Sequence, residues 1–256
     1  MSFFNKALAS VGFGAAKVDT KLTESSFVSG EEIKGIVEIT GGSVEQQIDE
    51  IHLTLLTNYI KESNDTKVHK QAVLEKKKVV DSFVIGVNEK KEIPFTLTLP
   101  HDTPVSMGNT KVWLQTGLDI KNAVDPSDKD IVQVKPSPLI STIISAAEQL
   151  GFRLRKVECE AAPYKWKNHF PFVQEFEFVP TSGPFRGKLD EIEMIFSNNN
   201  GNSVELILQV DRKVRGLGSF LSEALEMDET FIKMRVTNQD LPGFKQQLES
   251  TIRRYC

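Results

Sequence analysis

Apolar and polar residues alternate along most of the chain, which is the pattern of β-strands with one buried face. In the segment PFTLTLP, Phe95, Leu97 and Leu99 alternate with threonines. In SVELILQVD, four apolar residues share one face: Val204, Leu206, Leu208 and Val210. Parallel strands covered on both sides would be apolar almost throughout, so the pattern predicts half-exposed antiparallel strands. The predicted fold class is therefore all-β, made of sandwiches.

Helical spacing interrupts this alternation in three places. Near the N-terminus, five apolar residues predict a short amphipathic helix: Phe3, Phe4, Ala7, Leu8 and Val11. In SPLISTIISAAEQLG, Ser137 can cap a helix, Pro138 suits its first turn, and Gly151 ends it. At the C-terminus, Asp240 can cap a further amphipathic helix. We expect these helices to cover the sandwiches.

Two local signals organise the strands. Asn-Gly in SNNNGNS, between two apolar runs, predicts a β-hairpin. In IVQVKPSPL, a strand ends, two prolines stiffen the crossing, and a helix begins. A chain of 256 residues also exceeds the usual domain size of about 100–200. We therefore predict two domains, a sandwich with the N-terminal helix at residues 1–135 and a sandwich with the linker and C-terminal helices at residues 136–256.

Composition narrows the class of protein. With 39% hydrophobic and 26% charged residues, the chain is an ordinary globular protein, and no apolar run approaches the ~20 residues of a membrane helix. A net charge of -4 gives no broad positive field for nucleic acid. Cys159 and Cys256 belong to no CxxC motif, and the N-terminus lacks the pattern of a signal peptide. These features predict a cytoplasmic protein.

An acidic loop, LDIKNAVDPSDKD, offers the carboxylates of Asp125, Asp128 and Asp130. A calcium loop of the EF-hand kind needs a glycine and a bidentate glutamate that are absent from it. Calcium-dependent membrane sandwiches gather carboxylates from several loops, and Glu62 and Asp65 could supply a second loop, so this alternative stays open. The Asp-Pro pair favours a turn, and we interpret the three aspartates as solvated scaffold residues.

Other patterns of catalytic or metal sites are missing from the sequence. The histidines occur singly, without an i,i+4 pair or a neighbouring cysteine: His52, His69, His101 and His169. The glycines fit neither phosphate-binding pattern, and there is no GxSxG motif. A strand cysteine such as Cys159 is usually a small core residue. We expect neither a catalytic residue nor a metal or cofactor.

The order of these segments resembles a known family. Four of them resemble the N-terminal half of arrestin-like proteins: FVSGEEIKGIVEITGG, IDEIHLTLLTNYI, EIPFTLTLPHDTPVS and VWLQTGLDIKNAVDPSDKD. Two later segments resemble bacterial sporulation-control proteins of the stage-zero M type, an arrestin-like family with two sandwich domains: SGPFRGKLDEIEMIF and VDRKVRGLGSFLSEALEMDE. The likeness extends from about Val11 to the C-terminal helix. It implies a cytoplasmic regulator and names no reaction.

The segment DRKVRGLG brings Arg212 and Arg215 together beside two glycines. Arrestin-like proteins hold their domains together with polar contacts as well as apolar ones. The resemblance therefore implies a domain-locking or partner-binding role for the two arginines, with Asp119, Asp125 or Asp190 as the paired acid. A solvated basic turn is the alternative.

The sequence thus favours a non-enzymatic regulatory or adaptor protein that controls sporulation through protein–protein interaction. Its expected partners are cytoplasmic proteins, without nucleic acid or an obligatory membrane, and self-association stays open. A specific partner would cover about 800 Å² of its surface. A calcium- and lipid-dependent membrane-binding sandwich and a hydrolase are the rival classes.

Overall fold

The computed structural model describes residues 15–63, 66–120, 126–163, 169–211 and 231–255. In these ranges the strands are, in chain order, β1 (Lys17–Leu22), β2 (Ser26–Val28), β3 (Glu32–Thr40), β4 (Gln46–Ser63), β5 (Thr66–Val80), β6 (Phe83–Ile85), β7 (Lys90–Thr98), β8 (Val112–Ile120), β9 (Ser127–Lys135), β10 (Phe152–Ala161), β11 (Phe172–Pro180), β12 (Glu191–Ser197), β13 (Ser203–Asp211) and β14 (Phe231–Thr237). The helices there are α1 (Pro138–Gln149) and α2 (Phe244–Arg253). The predicted all-β class is confirmed, while the predicted N-terminal helix lies outside the described residues. None of the described helices is long and apolar enough to cross a membrane.

The described strands form two sheets. The smaller sheet has the order β1-β3-β7, and both of its pairings are antiparallel. The larger sheet has the order β14-β13-β12-β11-β10-β4-β8-β9-β2, with β5 and β6 also pairing to β4. Most neighbours are antiparallel, as the alternation predicted, but β10 meets β4 and β2 meets β9 in parallel.

Buried apolar residues form two large clusters. The first comes mainly from β1 to β9, and the second from the helices and β10 to β14. Of the buried residues that the structure describes, three belong to the cluster of the other half: Val105 packs in the second cluster, and Cys159 and Phe172 pack in the first. The division into two domains near Lys135 stays a prediction, and the shared residues mark the region where the two halves of the chain meet.

The helix predicted after Pro138 is confirmed. The hydroxyl of Ser137 caps α1 by accepting a hydrogen bond from Ile140 N at 3.3 Å, and Pro138 occupies its first turn. Gly151 ends the helix with a φ of 93°, and a side chain there would overlap the carbonyl of Ser182. The apolar side of α1 is buried in the second cluster.

The C-terminal helix is also confirmed, but its predicted cap is wrong. Gly243 precedes α2, and no side chain of the described residues caps the helix. Asp240 instead closes the preceding turn, where its Oδ2 accepts hydrogen bonds from Thr237 N at 2.8 Å and from Thr237 Oγ1 at 2.7 Å. These bonds lower the pKa of Asp240. A short 3-10 turn, Leu241–Gly243, lies between Asp240 and the helix. Asp240 is therefore too far from the first turn of α2 to cap it.

The Asn-Gly signal correctly predicts a hairpin between β12 and β13. Gly201 adopts a φ of 83° there, a conformation that glycine takes readily. The prediction of one exposed face is wrong for β13, because Ile207 and Gln209, opposite the predicted core face, are also buried. The outer face of the C-terminal strands is therefore covered rather than open to solvent.

Candidate functional site

The two halves of the chain are joined by the loop between β7 and β8, residues 99–111, which we call the junction loop. Thr98 ends β7 and Val112 begins β8, so the loop is rooted in the N-terminal strands at both ends. Its middle nevertheless enters the C-terminal core through Val105, which is buried. The loop therefore carries contacts from one half of the molecule to the other.

Gln174 of β11 binds the junction loop most extensively. Its Oε1 accepts a hydrogen bond from Val105 N at 2.8 Å, and its Nε2 donates to Val105 O at 2.7 Å. The same Nε2 donates to Thr110 Oγ1 at 3.1 Å. All three residues are buried. One amide side chain therefore bonds to both main-chain groups of a buried loop residue, whose O also accepts a hydrogen bond from Met107 N at 2.8 Å.

Asn199, in the β12–β13 hairpin, makes a second set of bonds to the junction loop. Its main-chain N donates to Asp102 Oδ1 at 2.8 Å, and its side-chain amide donates to His101 O at 2.8 Å. The imidazole of His101 packs against Gly30 and Gly201, and a side chain at Gly30 would overlap the ring. The hairpin, the junction loop and the β2–β3 turn thus meet at one point.

Backbone contacts continue the junction toward β10. Gly108 has a φ of 58°, and a side chain there would overlap the carbonyl of Val157. The same carbonyl accepts a hydrogen bond from Asn109 N at 3.3 Å. Farther along β10, Glu160 pairs in parallel with Ile60 of β4, which makes one continuous sheet of the two halves.

A cleft beside the junction is lined by aromatic residues on one wall and by a group of polar residues. Its apolar wall includes four phenylalanines: Phe170, Phe172, Phe176 and Phe196. His101, Asp102 and His169 also line it. Burial raises the pKa of the Asp102 carboxyl, against the opposing effects of the hydrogen bond from Asn199 and of the two histidines. Asp102 acts in this arrangement as a hydrogen-bond acceptor that holds the hairpin.

A second concentration of polar groups lies on the outer face of β10 to β13, which we call the acidic face. Register places Glu177, Glu193 and Gln209 side by side across three strands, and Glu158 opposite Glu175 one row away. All five side chains are buried. Cations reach part of this face, since Lys156 Nζ lies 2.6 Å from Glu158 Oε2 and Arg155 pairs with Glu177 and Glu191.

Three oxygens at the centre of the acidic face lack such contacts within the described part of the chain. Glu175 Oε2, Glu193 Oε2 and Gln209 Oε1 are buried acceptors that receive no hydrogen bond from the described residues. Burial, together with neighbouring carboxylates, raises the pKa of Glu175 to about 7 and that of Glu193 to about 9. Desolvation disfavours the charged form, so Glu193 retains its proton at neutral pH.

The aspartates of the predicted acidic loop are placed differently from expectation. Asp125 lies outside the described residues, but β9 begins at Ser127, so Asp128 and Asp130 are strand residues rather than loop residues. Asp128 Oδ2 accepts a hydrogen bond from the buried Thr20 N at 2.7 Å and so ties β9 to β1. Burial, with the charges of Asp128 and Asp19, raises the pKa of Asp130 to about 6. Asp128 and Asp130 fall on the same side of β9 as the buried Val132 and Val134, and this period-two pattern was a strand signal that the Asp-Pro pair obscured.

Other predicted positions take ordinary structural roles. Burial raises the pKa of the Cys159 thiol to about 12, which leaves it protonated and a poor nucleophile. Within the described ranges, no group of three or more His, Cys, Asp or Glu could hold a metal ion. Arg212 and Arg215 lie outside the described residues. Of their suggested partners, Asp190 N donates to Asp211 O at 3.0 Å, and Asp119 lies in β8.

Sequence reasoning missed both the junction and the acidic face. Gln174, Asn199 and Asp102 belong to no motif, and only the fold brings them together. A signal for the acidic face did exist, since Glu175 and Glu177 alternate with phenylalanines in FVQEFEFVP. Such an alternation by itself indicates glutamates on a solvent-exposed face, and nothing in the local sequence indicates that this face is covered.

Comparison with known proteins agrees with this architecture. The family model described as SpoOM protein matches residues 4–214. The sporulation-control protein spo0M of Bacillus subtilis (strain 168) is 42% identical over 259 residues, covering 100% of both chains. The crystal structure of Spo0M from the same species matches with a TM-score of 0.89 and 40% identity, over 95% of this chain and 100% of that one. The chain belongs to the SpoOM family.

Proposed function

We propose that this protein controls sporulation as a non-enzymatic regulator that binds other cytoplasmic proteins. The full-length identity of 42% with a protein named for sporulation control supports the process. The raised pKa of the buried Cys159 thiol and the structural hydrogen bonding of Asp102 favour binding over catalysis.

The observation that carries the proposal is the hydrogen-bonded junction. Gln174 and Asn199 fix the junction loop to the C-terminal strands through side-chain and main-chain bonds. Bonds of this kind hold two groups of strands at a defined angle, and a partner that spans both groups then meets a preformed surface. Preorganisation lowers the entropic cost of binding, which suits a scaffold.

The test is to replace Asn199 by alanine in cells that lack the chromosomal copy. We expect the Asn199→Ala protein to fold, to show faster hydrogen exchange in the junction loop, and to lose control of spore numbers. Cross-linked capture from sporulating cells should lose the proteins that the parent retains.

Asn202→Ala is the matched control, because Asn202 lies exposed in the same hairpin. It should behave as the parent in all three measurements. Normal spore numbers and unchanged capture with Asn199→Ala, despite faster exchange in the junction loop, would contradict the proposal.

We also propose that Arg212 and Arg215 act in locking or partner binding, as the family resemblance implies. Asp190 supports this, since its main-chain bond to Asp211 places a carboxylate-bearing residue beside the residue that precedes Arg212. Lysine cannot reproduce the planar, bidentate guanidinium, so Arg212→Lys and Arg215→Lys should alter spore numbers while the fold is kept. If both variants gave the parental spore numbers, the proposed role would be rejected, and the two arginines would be interpreted as part of a solvated basic turn.

A further inference from the structure

Strand β5 is a long and unusually open edge of the larger sheet. It pairs antiparallel with β4 from Thr66 to Val80, and with no other strand in the described part of the chain. Its first six residues are exposed, so this end of the β4–β5 hairpin is open to solvent on both faces. The outer edge of β5 therefore presents main-chain N–H and C=O groups that can pair with another strand.

The charge of β5 is opposite to that of the protein. The strand contains one glutamate and five lysines: Lys67, Lys70, Lys76, Lys77 and Lys78. The whole chain has a net charge of -4, so its acidic character lies elsewhere. This separation of charge produces a basic edge on an acidic molecule.

Only part of this positive charge is used within the described structure. Lys78 pairs with Glu50 at 3.4 Å and with Asp81 at 3.1 Å. Lys77 Nζ donates a hydrogen bond to Thr96 O at 2.6 Å, which connects β5 to β7. Among the described residues, Lys67, Lys70 and Lys76 form no ion pair.

Apolar side chains accompany the free lysines. Val68 is 41% exposed and Val73 is 52% exposed, although valine favours burial in strands. A strand that added to the edge could cover both side chains with its own apolar residues, since cross-strand pairs are the unit of sheet stabilisation. The edge thus offers main-chain groups, apolar contacts and positive charge along one line.

We propose that the outer edge of β5 binds an extended acidic segment of a partner protein, which adds to the larger sheet as a further strand. This inference rests on the proposed function and gives it a surface and a partner chemistry. A second copy of β5 would place lysines against lysines, which disfavours pairing between identical edges. A strand rich in Asp and Glu meets the lysines with opposite charge.

The test uses fluorescent ten-residue peptides in which glutamate alternates with valine or threonine. The parent protein should bind such a peptide with an affinity that falls as salt rises. N-methylation of alternate amides keeps the charge but removes the edge donors, and it should abolish binding. A peptide with lysine in place of glutamate should not bind.

Two protein variants carry the same change in net charge, two lysines replaced by glutamate, at different places on the surface. Lys67→Glu/Lys70→Glu should weaken binding by about tenfold or more. Lys90→Glu/Lys188→Glu, at exposed positions away from β5, should keep the parental affinity. Circular dichroism of both variants should match the parent.

Three results would overturn the inference: equal binding of the N-methylated peptide, equal weakening by both double variants, or binding only to anionic phosphatidylserine vesicles. Failure with the peptides, while Asn199→Ala still loses its captured proteins, would reject the β5 edge and leave the proposed function standing. Unchanged capture with Asn199→Ala, together with salt-dependent binding of the acidic peptide, would reject the role of the junction and leave the β5 edge standing.

Discussion

We expect Glu193→Gln to raise the free energy of unfolding at pH 8 by about 1–3 kcal/mol. Glu193 is buried on the acidic face, and its Oε2 has no hydrogen-bond partner among the described residues. Glutamine keeps the shape of the protonated carboxyl and cannot ionise in either the folded or the unfolded state. Its amide can also donate to Gln209 Oε1, which belongs to the paired residue on β13 and receives no hydrogen bond from the part of the chain that the structure describes.

The pH dependence follows from the raised pKa. The folded protein keeps a proton on Glu193 up to a pKa of about 9, whereas the unfolded chain releases it near the ordinary value of 4.5. The contribution of Glu193 to stability is therefore fully present below 4.5, and it is lost as pH rises toward 9. Glutamine removes this loss, so the variant should gain most at alkaline pH.

Urea unfolding at pH 5, 7 and 8.5 measures the effect. Glu62→Gln is the matched control, because Glu62 is exposed near the end of β4. Its stability should follow the parent at each pH. A Glu193→Gln protein whose stability falls with pH as steeply as that of the parent would show that Glu193 is ionised in the folded state.

Local patterns were sufficient for much of the fold. Alternation identified β7 and β13, Asn-Gly identified the β12–β13 hairpin, and Ser137 with Pro138 identified the start of α1. These signals succeed because the residues that determine each structure are neighbours in sequence. Asp240 shows the limit of such local signals. Its carboxylate binds Thr237, and a 3-10 turn separates it from α2, so it does not cap the helix.

The junction and the acidic face depend on contacts that a single sequence does not reveal. Gln174 and Val105 are 69 residues apart, and Asn199 and Asp102 are 97 apart. Glu193 was predictable as a strand residue, but its burial depends on what covers the outer face. A polar residue on the predicted solvent side of a strand becomes informative only when the sheet order is known.

The second large effect is expected at the centre of the junction. Gln174→Ala should lower the free energy of unfolding by about 1–3 kcal/mol, because it leaves the main-chain N–H of Val105 without its partner and removes one donor each from Val105 O and Thr110 Oγ1. All of these groups lie in buried residues. Val105 O keeps the hydrogen bond from Met107 N at 2.8 Å. Gln174→Glu should recover little, since its carboxylate can accept from Val105 N but places a second acceptor against Val105 O.

Gln133→Ala is the control that separates burial from hydrogen bonding. Gln133 Nε2 also donates to the junction loop, at 3.0 Å from Ser106 O, but this side chain is exposed and water can replace it. Its loss should cost less than about 1 kcal/mol in urea unfolding. Equal losses for Gln133→Ala and Gln174→Ala would mean that the buried amide does not hold the junction. A large loss for Gln174→Ala alone, with hydrogen exchange accelerated first in residues 99–111, would mean that the two halves separate at this loop before either core unfolds.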